Sequence, residues 1–303
     1  MPRASIQLCT YNRARLLERV LDACFEQTAD PVEYEVVLVN DGSSDDTATV
    51  IERAKGRATC ALTVIDQANA GLACGRNAGI ARATGERIIF IDDDVLPTPT
   101  FVQEHLRSHA SHPPAIVQGG AINVESFDDL PPAVWSFKDY SGNFFWTTNV
   151  SVPLATIRAI GGFNTSFSEY GWEDIDVGLR LRSRGVKAVF NKRALVYHYK
   201  PRPRSGNVEQ MIRQAKAQAR TAVQLERLHP QWRTWLAAGM NPVQRALHAW
   251  LRGVRTARRF HTMLGDLSTD RALTDRELRA ARGLATTAYF EELERALHDG
   301  ANT

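Results

Sequence analysis

Two short apolar runs, each closed abruptly by acidic residues, constrain this chain more than any other feature. Glu35-Val36-Val37-Leu38-Val39 leads into Asn40-Asp41-Gly42-Ser43, and Arg87-Ile88-Ile89-Phe90-Ile91 leads into Asp92-Asp93-Asp94. Runs this short and rich in β-branched residues read as buried strands. Residues 5–9 read as an earlier strand and 61–65 as another. Between them, residues 13–27 carry a helical period through Leu16, Leu17, Val20, Leu21, Cys24 and Phe25. Ser44 or Asp45 is placed to cap a helix reaching about Lys55. Residues 71–84 read as a third helix, weakened by Gly75 and Gly79. Strands alternating with helices of this length predict an α/β fold with βαβ units and a mostly parallel sheet. Ligands of such sheets bind beyond the carboxyl ends of the strands, where both acidic clusters fall. Three adjacent carboxylates repel one another unless a cation or solvent relieves them. A hard divalent cation that also holds phosphate oxygens is the economical explanation.

The remainder is less periodic. After Pro97, residues 116–121 suggest another strand, and 127–146 are rich in aromatics with no clean period. Long irregular stretches in compact domains are often functional. Residues 153–160 and 173–184 read as helices, the second ended by Gly185, and 187–190 and 194–199 as short strands. Composition shifts at Pro201-Arg202-Pro203-Arg204-Ser205-Gly206, beyond which the pattern is helical. The expected division is therefore a catalytic domain over 1–204, with halves near 1–97 and 98–204, and a helical extension over 205–303.

Of the net charge of +3, the part from Ser205 onward carries +5. In that part Val243, Leu247, Trp250, Val254, Ala257 and Leu264 share one helical face, and Arg245, Arg252, Arg255 and Arg259 lie largely on the other. Three readings fit this extension: packing on the catalytic domain, a homodimer contact, or peripheral contact with an anionic membrane surface. The overall charge is too small for a dedicated nucleic-acid binder, and no apolar run is long enough to span a bilayer. Met1-Pro2-Arg3-Ala4-Ser5 lacks a signal peptide's apolar stretch. Cys9, Cys24, Cys60 and Cys74 have no paired metal-ligand spacing and read as reduced thiols. The expected location is cytoplasmic, with peripheral contact at the inner membrane surface as the option for the tail.

Several short motifs occur in a telling order: Thr10-Tyr11-Asn12-Arg13, Asn40 to Thr47, Asn69-Ala70-Gly71 with Arg76-Asn77-Ala78-Gly79, Asp92-Asp93-Asp94, Gly161-Gly162-Phe163 and Trp172-Glu173-Asp174. Over roughly residues 4–200 the chain resembles family 2 glycosyltransferases of the GT-A fold. The resemblance implies a metal-dependent, inverting transfer of a sugar from a nucleotide-diphosphate donor to a hydroxyl. It assigns Thr10, Tyr11, Asn12, Arg13, Asp41, Arg76, Asp92 and Asp93 to the nucleotide, with Asp41 on the base and Asp92 on the ribose. It gives Asp94 and His198 to a manganese or magnesium ion. Asp174 becomes the general base, with Glu173 as its companion in capping or acceptor contact. Trp146, Asn149 and Trp172 are candidates for the acceptor. Asn40 stands where the family usually has a first acid, which leaves the detail of base and ribose binding open.

Bland alternatives stand beside these roles. Asp41-Gly42-Ser43 fits an Asx turn, Arg76 a solvated helix position, His198 a core histidine, and Glu173-Asp174 a helix cap. Trp135, Phe137, Tyr140, Phe144, Phe145 and Trp146 suit sugar faces or plain core filling, and Asp176 with Arg180 suits a structural i,i+4 pair. A carboxylate at Asp41 matches a pyrimidine N–H, which favours UDP or dTDP and leaves GDP open. The acceptor class is a glycan, a glycolipid or a small molecule. A sugar nucleotidyltransferase would carry a Gly-rich loop after the first strand, where this chain has Thr10-Tyr11-Asn12-Arg13. A non-catalytic nucleotide-sugar or nucleic-acid-binding module is the third class.

Overall fold

The computed structural model describes residues 2–142, 145–246, 256–264 and 269–301. The chain divides into two units, Met1–Thr165 with Glu173–Pro201, and Ser166–Trp172 with Arg202–Thr303.

In the first unit β1 (Ala4–Thr10), α1 (Ala14–Phe25), β2 (Tyr34–Asn40), α2 (Thr47–Lys55), β3 (Ala61–Asp66), α3 (Leu72–Arg82) and β4 (Arg87–Phe90) alternate as the periodicity predicts. Then come β5 (Val95–Pro97), α4 (Phe101–Ser111), β6 (Ala115–Val124), β7 (Val150–Pro153), α5 (Leu154–Ala159), α6 (Glu173–Ser183) and β8 (Lys187–Tyr199). Eight strands form one sheet in the order β3-β2-β1-β4-β7-β6-β8-β5. The β3, β2, β1 and β4 pairings are parallel, whereas β7 runs antiparallel to β4 and β6, and β5 antiparallel to β8.

Both sheet faces are covered, so the central strands are buried along nearly their whole length, with apolar runs such as Val36 to Val39 and Ile88 to Phe90 facing both sides. Val36 and Leu38 face a core shared with Leu17, Leu21, Ile51 and Phe101. Val37, Ile88 and Phe90 face the other side with Ile80, Ile157, Phe163, Val177 and Leu181. Phe90 meets Phe145 and Phe163 edge-on at 5.7 and 5.5 Å. Truncating a ring in such a cluster to alanine typically costs on the order of 3–5 kcal/mol.

Two strands escape the sequence reading because three or four residues are too short to show a period, β5 and β7. The strands expected over 187–190 and 194–199 are one element of 13 residues. Its pairing to β6 jumps from Gly119–Asn191 to Gly120–Leu195, so polar Lys192 and Arg193 bulge out and break the alternation without ending the strand.

The second unit is helical: α7 (Val208–Leu228), α8 (Trp232–Ala237) and helices over Thr256–Leu264 and Asp275–Ala301. Ala219, Ala222, Val223, Phe290 and Leu293 form one apolar cluster, and Val208, Leu264, Leu273, Ala280, Ala281 and Leu284 another. The stretch 166–172 joins this unit through Arg220, which ion-pairs with Glu169 and places Nη1 2.8 Å from Glu292 Oε1. Leu247, Trp250, Arg252, Val254 and Arg255, on which the amphipathic reading of the tail rests, lie outside the described residues, as does Phe144. Among the described residues no helix is long and apolar enough to cross a membrane.

Candidate active site

The parallel strands end in register. Thr10 lies opposite Asn40, and Asn40 opposite Asp66, so the β1 and β2 loops start side by side at the carboxyl edge of the sheet. The turn after β2 is tightly fixed. Gly42 has φ +78°, and a Cβ there would come within 2.6 Å of the Asn69 nitrogen, so the close approach requires glycine. Asn12, itself at φ +53°, closes the turn from the other side. Its Oδ1 accepts from the backbone N–H groups of Ser44 (2.8 Å) and Asp45 (3.3 Å). Asn40 donates to Asp66 Oδ1 (2.8 Å) and accepts from the Ser43 N–H (3.2 Å), so here it serves the turn.

Asp41 accepts from Gln67 Nε2 (2.6 Å) and from the N–H groups of Ala70 (3.0 Å) and Gly71 (3.0 Å). A carboxylate has about four lone-pair positions. Three are used by the 67–71 loop, which leaves one on Oδ2. Tyr11 is 50% exposed beside this turn.

The three aspartates after β4 diverge. Asp92 accepts from Arg76 Nη2 (3.2 Å) and Thr148 Oγ1 (2.8 Å). Asp93 accepts from Thr10 Oγ1 (2.8 Å), and burial pushes its carboxyl up to about 7. Asp94 meets Arg13 Nη1 at 3.3 Å and has His198 Nε2 3.7 Å away, too far for a hydrogen bond. Burial and then the neighbouring Asp92 charge raise the Asp94 pKa, while Arg13 and His198 act against them. His198 is lowered, first by burial, which keeps its imidazole neutral, and its Nδ1 is buried without a partner.

Among the described residues no group of three or more His, Cys, Asp or Glu side chains forms a ready-made metal centre. Asp94 and His198 nevertheless fit a divalent cation as a pair. They are a carboxylate whose neighbouring acid is only partly offset by Arg13, and an imidazole with an unpartnered buried nitrogen. Sites of this kind take the rest of their ligands from substrate phosphates and water.

Arg76 gathers the other side of the site. It is 4% exposed, and its Nη1 donates to Glu173 Oε1 (3.0 Å) while Nη2 donates to Asp92 Oδ1 and Thr147 Oγ1 (2.7 Å). The Phe163 ring lies beneath the guanidinium at 5.1 Å. Glu173 and Asp174 open α6, whose positive N-terminal end favours acids. Burial, then the Glu173 charge, pushes the Asp174 carboxyl up to about 7, with Arg76 opposing. Asp176 and Arg180 are a structural pair, as expected. Arg180 also donates to the carbonyls of Ile160 (2.8 Å) and Gly162 (2.7 Å) and so fixes the Gly161-Gly162 turn.

The structure thus joins Asp92, Arg76 and Glu173 in one network, with the Thr10–Asp93 pair and Arg13, Asp94 and His198 beside it. It does not bring in Asn149. That side chain is fully buried, and its Nδ2 donates to the carbonyls of Gly120 and Ala194, both at 2.9 Å. Its expected acceptor contact gives way to cross-linking β6 and β8. Arg76, expected at the nucleotide, spends its fork inside the protein. Trp146 packs on the core with its ring 6.4 Å from that of His198. Trp172 belongs to the second unit, where its Nε1 donates to the Gln218 carbonyl (2.7 Å). Thr147 and Thr148 hold Arg76 and Asp92, a pairing across 71 and 56 residues that no local pattern announces. A polar cavity of about 570 Å³ flanks the site, lined among others by Asn12, Arg13, Arg15, Asp45, Phe127 and Tyr199.

The mixed sheet, its order and its flanking helices define a GT-A glycosyltransferase architecture. A Pyrobaculum calidifontis mannosyltransferase, solved with GDP-Man and Mn2+, superposes with a TM-score of 0.56 at 18% identity, covering 100% of this chain and 76% of its own. Staphylococcus aureus TarS 1-349 in complex with UDP gives 0.54 at 18%, covering 99% and 92%. At such identity the likeness shows the fold alone. The family description Glycosyl transferase family 2 matches residues 5–162, and the chain belongs to that family. Validoxylamine A glucosyltransferase of Streptomyces hygroscopicus subsp. limoneus is 30% identical over 223 residues, 61% of this chain and 49% of its own. Chondroitin synthase of Pasteurella multocida is 28% identical over 198 residues, 63% of this chain and 20% of its own. The chain spans about half the length of the validoxylamine A glucosyltransferases it matches.

Proposed function

We propose that this chain transfers a sugar from a nucleotide-diphosphate donor, UDP- or dTDP-linked by preference, to an acceptor hydroxyl with inversion at the anomeric carbon. One observation carries the reading. Asp92 and Glu173, the acid beside Asp174 at the start of α6, share Arg76, while Asp94 and His198 lie beside them at the same sheet edge. The relatives named for glucosyl transfer and the neighbours solved with GDP-Man and UDP support the substrate class.

In this scheme the remaining Asp41 lone pair accepts the pyrimidine N–H, the Tyr11 ring flanks the base, and Asp92 takes a ribose hydroxyl. Asp94 and His198 would hold a divalent cation, manganese or magnesium, which when bound would offset the negative charge of the departing diphosphate. Asp174 accepts the proton of the acceptor hydroxyl as that oxygen bonds to the anomeric carbon. The bond from that carbon to the phosphate oxygen breaks, and its electron pair leaves with the nucleoside diphosphate. A carboxylate whose pKa is held up near the working pH is a competent base.

The test is nucleotide release from UDP-, dTDP- and GDP-hexoses with Mn2+, with and without chelator. Metal-dependent release of a pyrimidine diphosphate is expected, with Asp174→Asn retaining nucleotide affinity and losing turnover. Release unaffected by chelator, or loss of affinity and turnover together in Asp174→Asn, refutes the scheme.

A further inference from the structure

We propose that Arg76 is a positioning residue that couples the ribose-side carboxylate, Asp92, to the N-terminus of α6, and is not itself a ligand of the nucleotide. The inference deepens the reading above and rests on it for the roles of Asp92 and Asp174.

The helix that carries Arg76 is pressed onto the sheet. A Cβ at Gly75 would lie 3.1 Å from Cys9 Sγ, and one at Gly79 would lie 2.5 Å from the Gln7 side chain. Those two glycines, which weaken α3 as a helix, let its backbone approach β1. The approach carries residue 76 into the interior instead of leaving it at the nucleotide edge. Once there, the guanidinium is closed off. Nη1 is given to Glu173, Nη2 to Asp92 and Thr147, and Phe163 covers one face. Three of its five N–H groups, on both terminal nitrogens, are bound within the protein, and the side chain is buried, so the fork is turned to these partners and away from a phosphate.

The arrangement also divides labour between two adjacent acids. At the start of α6, Asp176 is paired with Arg180 and Glu173 with Arg76. Among the described residues Asp174 has no ion-pair partner, and its Oδ1 accepts the Ile175 N–H at 2.7 Å. The charged groups that act on it are Glu173, Arg76 and Asp92. Arg76 thus neutralises the acid next to the base and ties that acid to the residue that receives the ribose. A planar fork can bridge two carboxylates. A lysine, a single point charge on a flexible stem, cannot reproduce both bonds.

The first test needs no donor. Asp92→Asn, Glu173→Gln and the double variant are melted in the wild-type background and again with Arg76→Gln. The expected result is a double-variant loss in Tm clearly different from the sum of the singles with Arg76 present, and additive losses without it. Additive losses in the wild-type background overturn the proposal.

The second test uses Arg76→Lys, with UDP affinity measured by calorimetry in Mn2+ and kcat measured across pH. UDP affinity should stay within about threefold of wild type, while kcat falls at least tenfold and its acidic limb moves to higher pH. A UDP affinity lowered tenfold or more makes Arg76 a nucleotide ligand. A lower kcat with an unmoved acidic limb reduces it to a structural residue. Either result overturns the coupling. Non-additive melting in a wild-type protein that never releases nucleotide would sink the functional reading while leaving the strut intact.

Discussion

Acid should reveal a buried histidine chain that holds the strand next to the site, and His109→Gln isolates it. Asn149 Nδ2 donates to two carbonyls, so its Oδ1 is an acceptor. His105 Nε2, 3.0 Å away, therefore carries a hydrogen, and its Nδ1 accepts the Ser151 hydroxyl hydrogen at 2.7 Å. Ser151 Oγ in turn accepts from His109 Nε2 at 2.8 Å, which leaves His109 Nδ1 bare and buried without a partner. This assignment follows from satisfying the network. A further proton on His109 would have no acceptor. Burial, then the charges of His105 and Arg87, depress the His109 pKa from 6.5 to about 3, and burial takes His105 to about 4. Because the folded values are depressed, the stabilising contribution is complete above pH 6.5 and is lost as pH falls towards them. At pH 5 the loss from His109 amounts to about 2 kcal/mol. Asp93, raised by burial to about 7, pulls the other way over the same window, so the total stability of the wild type is not diagnostic. The difference between proteins is. Glutamine keeps a donor for Ser151 and cannot charge. Urea unfolding at pH 7.5 and pH 5.0 should show the variant losing about 2 kcal/mol less than wild type on acidification. Parallel losses, within about 0.5 kcal/mol, would refute the proton assignment.

Three further outcomes are expected. With Asp174 held up to about 7 and active only when ionised, nucleotide release should climb as pH rises through about 7, and a rate flat from pH 5.5 to 8 contradicts the base assignment. Glu35 is buried in β2 and accepts from Ser5 Oγ (2.6 Å) and from the N–H groups of Thr84 (2.6 Å) and Gly85 (3.2 Å). Glu35→Ala strands those donors and should cost about 1–3 kcal/mol in urea unfolding. Gly42→Ala puts a methyl group against the Asn69 backbone at φ +78°, so UDP affinity by calorimetry should fall by at least tenfold, whereas Gly206→Ala, with open space around it, should leave affinity unchanged.

Helix α1 was legible from its period, and β2 and β4 as short apolar runs buried on both faces. Val36 to Val39 and Ile88 to Ile91 are apolar on both faces, and the acids that end them mark the carboxyl edge. What stayed hidden is long-range pairing. A helix pattern gives no sign that Gly75 and Gly79 sink α3 onto β1, so Arg76 read as a ligand at the cleft and not as a buried bridge. Asn149 follows two threonines and looks like a sugar contact by residue type. Only the sheet order, with β7 between β4 and β6, places its amide against the carbonyls of Gly120 and Ala194. Asp41 was recognised from its place after β2, but the share of its lone pairs taken by Gln67, Ala70 and Gly71 depends on a loop 26 to 30 residues away. The aromatic run divided as chemistry allows. Phe145 is core between Phe90 and Phe163, whereas Phe137 is 88% exposed on a turn capped by Ser136 and Asp139.

Calorimetric titration of UDP in Mn2+ tests the central claim most directly, comparing wild type with Asp94→Ala. The account predicts saturable binding that depends on the metal in the wild type and weakens by at least tenfold in the variant, with metal-free affinity alike in both. Equal manganese-dependent affinity in the two proteins, or no UDP binding by the wild type, would contradict it.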